Sequence, residues 1–331
     1  MRLKGVVKNV FSVFVLKTEV LYLSEKEIVN LLTNRKVDIC AVGNVRRNND
    51  TVASILENKI EIYDSFLNNL TNIEHPEITL ESGLPLLDTD NIIIHNFNKS
   101  DNLLNFLKGN LISIKHDFLG LILNEKYVLN YPGGTFSNPS KFRCSDLQDE
   151  HTYWEYDCGD GYVASRFYMW KGKLVFSKNK DADVQLVLID LPTGKIDWEL
   201  KIANGAFFFH EQSGVLVSVW GSKREGGQYQ IIHLDKRLVE IGRLEDFNME
   251  YVRVNWETQF LANNKYYFVE NVYTTGNEKP RPIKFGCFDI ETKKIDFFQE
   301  VPEAAGGQFA QVIYHNNKLY LRTSENELFI F

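Results

Sequence analysis

At 331 residues, 44% of them hydrophobic, 24% charged and 13% aromatic, the chain has the make-up of a folded globular protein, which excludes a disordered one. It carries 37 basic and 44 acidic residues, net −7, so its field opposes a phosphate backbone and nucleic acid is not an expected partner. No apolar run approaches the roughly 18 residues that a spanning helix needs, so no membrane partner is expected either.

The amino terminus opens with basic Met1–Lys8 and apolar Val10–Leu16, the outline of a short signal peptide. Lys17, Thr18 and Glu19 follow without a small-residue cleavage site, and the segment alternates as strands do, so it reads as strand. From there a two-residue reverse turn returns along the chain: Lys17-Thr18, Glu57-Asn58, Asn124-Glu125, Lys171-Gly172, Ser213-Gly214, Asn263-Asn264 and Asn316-Asn317. Counted on the residue opening the next strand, the steps are 40, 67, 47, 42, 50 and 53. A period near 45 residues with only strands inside it predicts a β-propeller or a similar array, in which each unit packs on its neighbours.

The expected fold class is all-β: one seven-bladed propeller domain over 1–331, built of four-stranded antiparallel blades with strands A to D. In blade one (10–45), A lies near Phe11–Leu16, B near Glu19–Leu23, C near Ile28–Leu32 and D near Val37–Val42. Blade two (50–108) has A at Val52–Leu56 and B at Ile60–Tyr63; an insertion at Ser65–Asp90 precedes C at Ile92–His95 and D near Leu103–Leu107. Blades three to six take 109–158, 159–203, 204–247 and 248–302. Blade seven takes 303–331 and lacks an outer strand, which the spare segment at residues 2–9 supplies, closing the ring and covering an edge. The irregular amino-terminal third also admits six or eight blades.

A second register runs through the same region. Asp190-Leu191-Pro192-Thr193-Gly194-Lys195-Ile196-Asp197-Trp198 reappears as Asp289-Ile290-Glu291-Thr292-Lys293-Lys294-Ile295-Asp296-Phe297. Asp146 and Trp154 keep the separation of Asp190 and Trp198, and Asp235 stands where a further copy belongs. The aspartate accepts backbone N–H bonds in a tight turn, Gly or Lys takes the left-handed position, and the aromatic wedges between sheets. This pattern resembles the quinoprotein-like (PQQ-like) propeller repeat, of the WD40-like kind of architecture, over about 140–300. The resemblance implies fold; the adjacent cysteines of the quinone enzymes are absent, so no cofactor is implied.

Function is less legible than fold. A–B and C–D turns read as short, while the long segments fall between B and C or between D and A: Gly43–Asp50, Ser65–Asp90, Tyr131–Ser145, Ser177–Asp183, Gly221–Gln228, Tyr273–Pro282 and Val301–Gly307. Long loops on a rigid scaffold carry binding, so that face is the expected partner site. Its candidates are Arg46 and Arg47, forks for an anion, and Trp220 with Lys223 and Arg224, an aromatic-plus-basic anchor unless Trp220 ends its strand in the core. Phe136 and Tyr273 complete the set.

No catalytic residue is assigned. HExxH and GxSxG are absent, Tyr131–Phe136 lacks the helix and lysine of a phosphate-binding loop, and Asp157–Gly161 lacks the further ligands of a calcium loop. His210 and His315 each end an A strand, and Asp197 and Glu199 share a strand face. The scattered cysteines (Cys40, Cys144, Cys158, Cys287) indicate buried thiols in a reducing cytoplasm and no zinc, with Cys144–Cys158 the one bridge of sensible loop length. The leading expectation is a monomeric, non-catalytic scaffold that binds another protein, with an immunity-type, toxin-neutralising partner among the roles it fits. The alternative is a hydrolase or lyase acting on a sugar-like ligand at the central channel.

Overall fold

A computed structural model describes all of the chain except residues 48–49, 75–77, 79–90, 95–101, 106–109, 114–120, 125, 131–138, 148–150, 182, 255–256, 272–281 and 306. The described residues are strands and turns, with two short 3-10 turns at Val42–Asn44 and Pro302–Ala304. No helix among them is long and apolar enough to cross a membrane.

Antiparallel sheets follow one another along the chain. Sheet I holds Ser12–Leu16, Glu19–Leu23, Glu27–Asn30 and Lys36–Asp38; sheet II holds Val45–Arg47, Val52–Leu56, Lys59–Tyr63 and Asn69–Glu74. Sheet III has three described strands, Asn91–Ile94, Asn102–Asn105 and Asn110–Ser113. Sheet IV holds Leu121–Ile122, Tyr127–Asn130, Lys141–Asp146 and Thr152–Asp157. Sheet V includes Tyr168–Trp170, Lys173–Lys180, Asp183–Asp190 and Ile196–Ile202. Sheet VI holds Phe208–His210, Val215–Ser222, Gly226–His233 and Leu238–Leu244, and sheet VII holds Gln259–Ala262, Lys265–Val269, Ile283–Asp289 and Lys294–Val301. Sheet VIII joins Phe309–His315, Lys318–Thr323 and Leu328–Ile330 to Gly5–Val7, whose residues pair with Ile330, Phe329 and Leu328. The spare amino-terminal segment is therefore the outer strand of the last sheet.

The described residues thus form eight sheets where seven blades were expected. The difference lies in the expected second blade. Val45–Arg47 is strand A of sheet II, so Val52–Leu56 is its B strand and Glu57-Asn58 turns B into C. Asn69–Glu74 closes that sheet inside what read as an insertion, which leaves Asn91–Ile94 to open another. A three-residue strand reading Val-Arg-Arg shows too little apolar alternation to announce itself.

Two compact units are present: one of residues 1–10, 164–188 and 198–331, the other of 11–163 and the turn 189–197. In the first, each sheet buries its faces against the next. Trp170, Val175, Leu188, Leu216 and Ile232 join sheets V and VI; Val217, Met249, Tyr266 and Phe288 join VI and VII; Phe285, Val312, Leu321 and Phe329 join VII and VIII. In the second unit, Phe14, Leu21, Ile28, Val52 and Tyr63 do the same for sheets I and II. Each fully buried side chain of this kind contributes about 1.5–3 kcal/mol.

Turn chemistry explains the hairpins. Lys171-Gly172, Asn263-Asn264 and Asn316-Asn317 have both central residues at positive φ, the conformation that Gly and Asn tolerate and that matches strand twist. At the C–D turns, the Asp190 carboxylate accepts from the N–H and hydroxyl of Thr193, and Asp289 accepts from the N–H groups of Glu291 and Thr292. Asn30 makes the same turn in sheet I, accepting from Leu32 and Thr33. In sheet VI, His233 and not Asp235 ends strand C, so the expected aspartate register breaks there. Leu234 follows it as Ile290 follows Asp289, each donating to the A–B turn.

The four cysteines are free thiols, three of them buried, and burial pushes those of Cys144 and Cys287 up to about 12, so they are inert as nucleophiles. Asp157–Gly161 is a turn in which Asp157 accepts from the N–H of Gly159 and pairs with Lys141 at 2.7 Å. His210 and His315 do end A strands, and His210 Nδ1 meets Ser213 Oγ at 2.8 Å across the hairpin.

Candidate binding face

In sheet VI the segment 221–228, expected as a long loop, is a tight finger. Strands B and C pair as far as Ser222 opposite Gly226, leaving Lys223, Arg224 and Glu225 as the tip. Similarly, strand B of sheet V runs to Lys180 and strand C starts at Asp183, so most of the expected loop 177–183 is strand. The strands are eight residues long, and hydrophilic residues at their outer ends conceal their continuation.

The finger is rigid for local reasons. Ser222 accepts from the N–H of Glu225 through both its carbonyl (3.2 Å) and its hydroxyl (3.1 Å). Gly221 sits at φ 139, and a Cβ there would lie 2.2 Å from the Gly226 carbonyl oxygen, so only glycine allows the strands to approach. Gly221 and Val252 exchange hydrogen bonds of 3.0 and 2.7 Å, which fasten the finger to the linker between sheets VI and VII. Lys223 and Arg224 are exposed, and Trp220 is half-buried beside them, neither a core end nor a free anchor.

Arg46 and Arg47 belong to the other unit. Arg46 Nη1 donates to the carbonyls of Gly43 (2.5 Å) and Val45 (2.9 Å), and burial lowers its pKa. The Arg47 guanidinium lies 4.6 Å from the Phe14 ring centroid, a cation–π contact. Of the seven expected residues, three therefore meet in one finger, two stand in strand A of sheet II, and Phe136 and Tyr273 fall outside the described residues. Asp197 and Glu199 do not form a lone carboxylate pair, because Glu199 binds Lys178 at 3.0 Å.

Sequence reasoning missed a charged group in the first unit. Arg166 precedes strand A of sheet V, Glu257 precedes strand A of sheet VII, and Arg322 is near the end of strand B of sheet VIII. The Glu257 carboxylate acts electrostatically on both guanidiniums. Starts of A strands and ends of B strands lie at the same end of an antiparallel sheet, which is also the end where B turns into C. The available signal was Arg322 itself, a charge directly after the apolar run Leu319-Tyr320-Leu321.

Four-stranded antiparallel sheets that follow in sequence and pack face against face define a β-propeller. No protein-family model matches this sequence, and no curated protein matches it. Solved structures do. The chain is similar to BamB from Moraxella catarrhalis (TM-score 0.53, 9% identity, covering 99% of this chain and 98% of that one). It is similar to the C-terminal WD40 domain of Sif2 (TM-score 0.60, 10% identity, 99% and 97%) and to the Dos1 propeller (TM-score 0.56, 10% identity, 99% and 95%). At such identity the likeness establishes fold: the chain has the all-β propeller fold, as the Asp–Trp repeat implied.

Proposed function

We propose that residues 1–331 form one monomeric, non-catalytic propeller domain that binds another protein at the end of its sheets where B turns into C and D passes to A. The observation that carries this reading is the finger at Lys223–Glu225, a stiff hairpin that holds two exposed cations and the flank of a half-buried tryptophan away from the core. Projecting hairpins with aromatic and basic side chains are the composition of protein interfaces. The protein-binding reading also suits a fold whose BamB-like and WD40 neighbours are propellers.

The test replaces Lys223-Arg224-Glu225 by Gly-Ser-Gly in the full chain and compares protein capture from the native cell, with thermal melting as a control. Melting is expected to be unchanged, because these side chains are exposed, while capture of the specific partner falls at least tenfold. Undiminished capture overturns this site. As for the domain, removing residues 1–8 strips the strand that pairs with Leu328–Ile330 and is expected to lower stability by about 3 kcal/mol. Unchanged melting overturns closure by that strand.

A further inference from the structure

The outermost strand of sheet VI is an unguarded edge. In sheets II, IV and VII the D strand carries one extra residue near its start (Leu70, Tyr153 and Asp296), a bulge that interrupts the ladder. In sheet I the D strand Lys36–Asp38 is only three residues long, two of them charged. Bulges and short length are means by which an edge strand is kept from pairing with another chain. The D strand of sheet VI, Leu238–Leu244, has neither: its seven residues pair one for one with Gly227–His233. Among the described residues it is the last strand of its sheet, and its Leu238 and Ile241 are exposed.

A groove of about 560 Å³ runs beside this edge, between Arg243–Asp246 of sheet VI and Thr292–Phe298 of sheet VII. Ligand sites span about 300–1,000 Å³. Two contacts set the alignment of its walls: Lys293 Nζ lies 3.0 Å from Glu240 at one end, and Phe247 stands edge-on to Phe298 at 6.0 Å at the other. The floor is apolar, because Leu244, Ile295 and Phe298 pack in the cluster that joins the two sheets. Alternation puts Gly242 and Leu244 on this side with Glu240, and Ile241 and Arg243 on the opposite side with Val239, which packs toward sheet V. Of the charges along the groove, Lys293 is occupied by Glu240, and Asp296 by Lys265 at 2.5 Å. That leaves Lys294 at the Glu240 end and Glu245 and Asp246 at the Phe298 end, none in an ion pair with a described residue. The groove is therefore cationic at one end, apolar in the middle and anionic at the other.

We propose that a partner protein adds an extended segment to the outer edge of Leu238–Leu244 as a further, antiparallel strand, with alternate side chains entering this groove. In such additions the main-chain N–H and C=O groups of the edge supply binding, and pockets for alternate side chains supply selection. Antiparallel pairing continues the pattern of the sheet and places the amino end of the segment beside Glu245 and Asp246 and its carboxyl end beside Lys294. The segment that fits carries a basic residue first, apolar residues at the groove-facing positions between, and an acidic residue last, since complementary charge at the two ends fixes direction and register. This goes beyond the protein-binding reading above by adding a second surface with its own recognition chemistry.

The probe is the end-blocked, fluorescently labelled peptide Lys-Thr-Val-Val-Val-Thr-Asp, titrated with the full chain and followed by anisotropy at low salt. Binding is expected, and none up to about 1 mM protein overturns the proposal. Ile241→Lys puts a guard charge on the edge where the native side chain is exposed, so it is expected to weaken binding roughly tenfold with melting unchanged. Exchanging the terminal Lys and Asp of the peptide, or Asp246→Asn in the chain, is expected to weaken binding severalfold; indifference to both overturns the proposed orientation. N-methylation of one alternate set of peptide amides is expected to abolish binding and of the other set to spare it, because one edge of the added strand faces the sheet. Equal effects of the two sets overturn strand addition. A chain that self-associates, and that Ile241→Lys returns to monomer, gives the edge to a second copy and overturns the proposal. If Ile241→Lys still captures the native partner in full, this inference falls while the finger reading stands. If the finger variant retains capture and Ile241→Lys loses it, the finger falls and the edge stands.

Discussion

Trp154 and Trp198 occupy the same place in the repeat, eight residues after the aspartate that closes strand C, yet they end in different surroundings. Trp154 is 9% exposed, donates its indole N–H to the Leu191 carbonyl at 2.7 Å and stands edge-on to Phe142 at 6.1 Å. Trp198 is half-buried against the cluster that joins sheets V and VI. Differences in the following turns account for this. The turn 190–195 carries Gly194 at φ 68, where a Cβ would lie 2.4 Å from Trp154 Cγ. In the corresponding turn of sheet VI the left-handed position is Arg237, at φ 49, and strand C ends on His233 instead of an aspartate. The lesson is that the tryptophan of this repeat is deeply seated where its neighbour supplies both a capped turn and a missing side chain. The spacing alone does not seat it.

Gly194→Val breaks the better of the two arrangements most directly. It places a branched side chain at positive φ and inside the indole, and the expected loss is about 4 kcal/mol by urea unfolding. A loss under about 1 kcal/mol would show that the indole does not rest on this turn. Trp154→Ala is expected to cost about 3 kcal/mol, because it removes a buried ring and orphans the Leu191 carbonyl. Trp198→Ala should cost about 2 kcal/mol, since part of that ring is already in water; equal losses for the two tryptophans would erase the distinction between them.

The smallest effect concerns the turn that has no tryptophan partner. In sheet VII, Lys265 beside Asp289, with the N–H groups of Thr292 and Glu291, holds the Asp289 carboxyl at about 2. A carboxylate depressed below its unfolded value of about 3.9 adds stability that is fully present above about pH 4 and lost as pH falls toward 2. Asp289→Asn should cost about 1 kcal/mol at neutral pH and flatten the acid limb of stability between those values. An unaltered acid limb would assign it to other carboxylates.

Much of this architecture was legible because its determinants are local. The paired Asn and Gly turns, the Asp caps and the apolar alternation located the strands of sheets I and V to VIII closely, and the amino-terminal strand was correctly assigned to the last sheet. Legibility failed where strands carry few apolar residues. Val45–Arg47 and Asn69–Glu74 read as loop, which merged two sheets into one blade, and the outer halves of the B and C strands in sheets V and VI read as loops as well. Asp235 imitated a register that His233 actually holds, because one acidic residue near a turn resembles another.

The candidate site divides along the same line. Trp220, Lys223 and Arg224 are neighbours in the chain and were found together. Arg166, Glu257 and Arg322 come from three sheets and share no local pattern. Turn type, strand polarity and the repeat are properties of a few consecutive residues, governed by backbone sterics and side-chain alternation, so the amino-acid sequence determined them unaided. Which distant charges feel one carboxylate, and which tryptophan finds a glycine beneath it, depends on how packed sheets bring separated segments together. Tertiary structure alone decided those pairings.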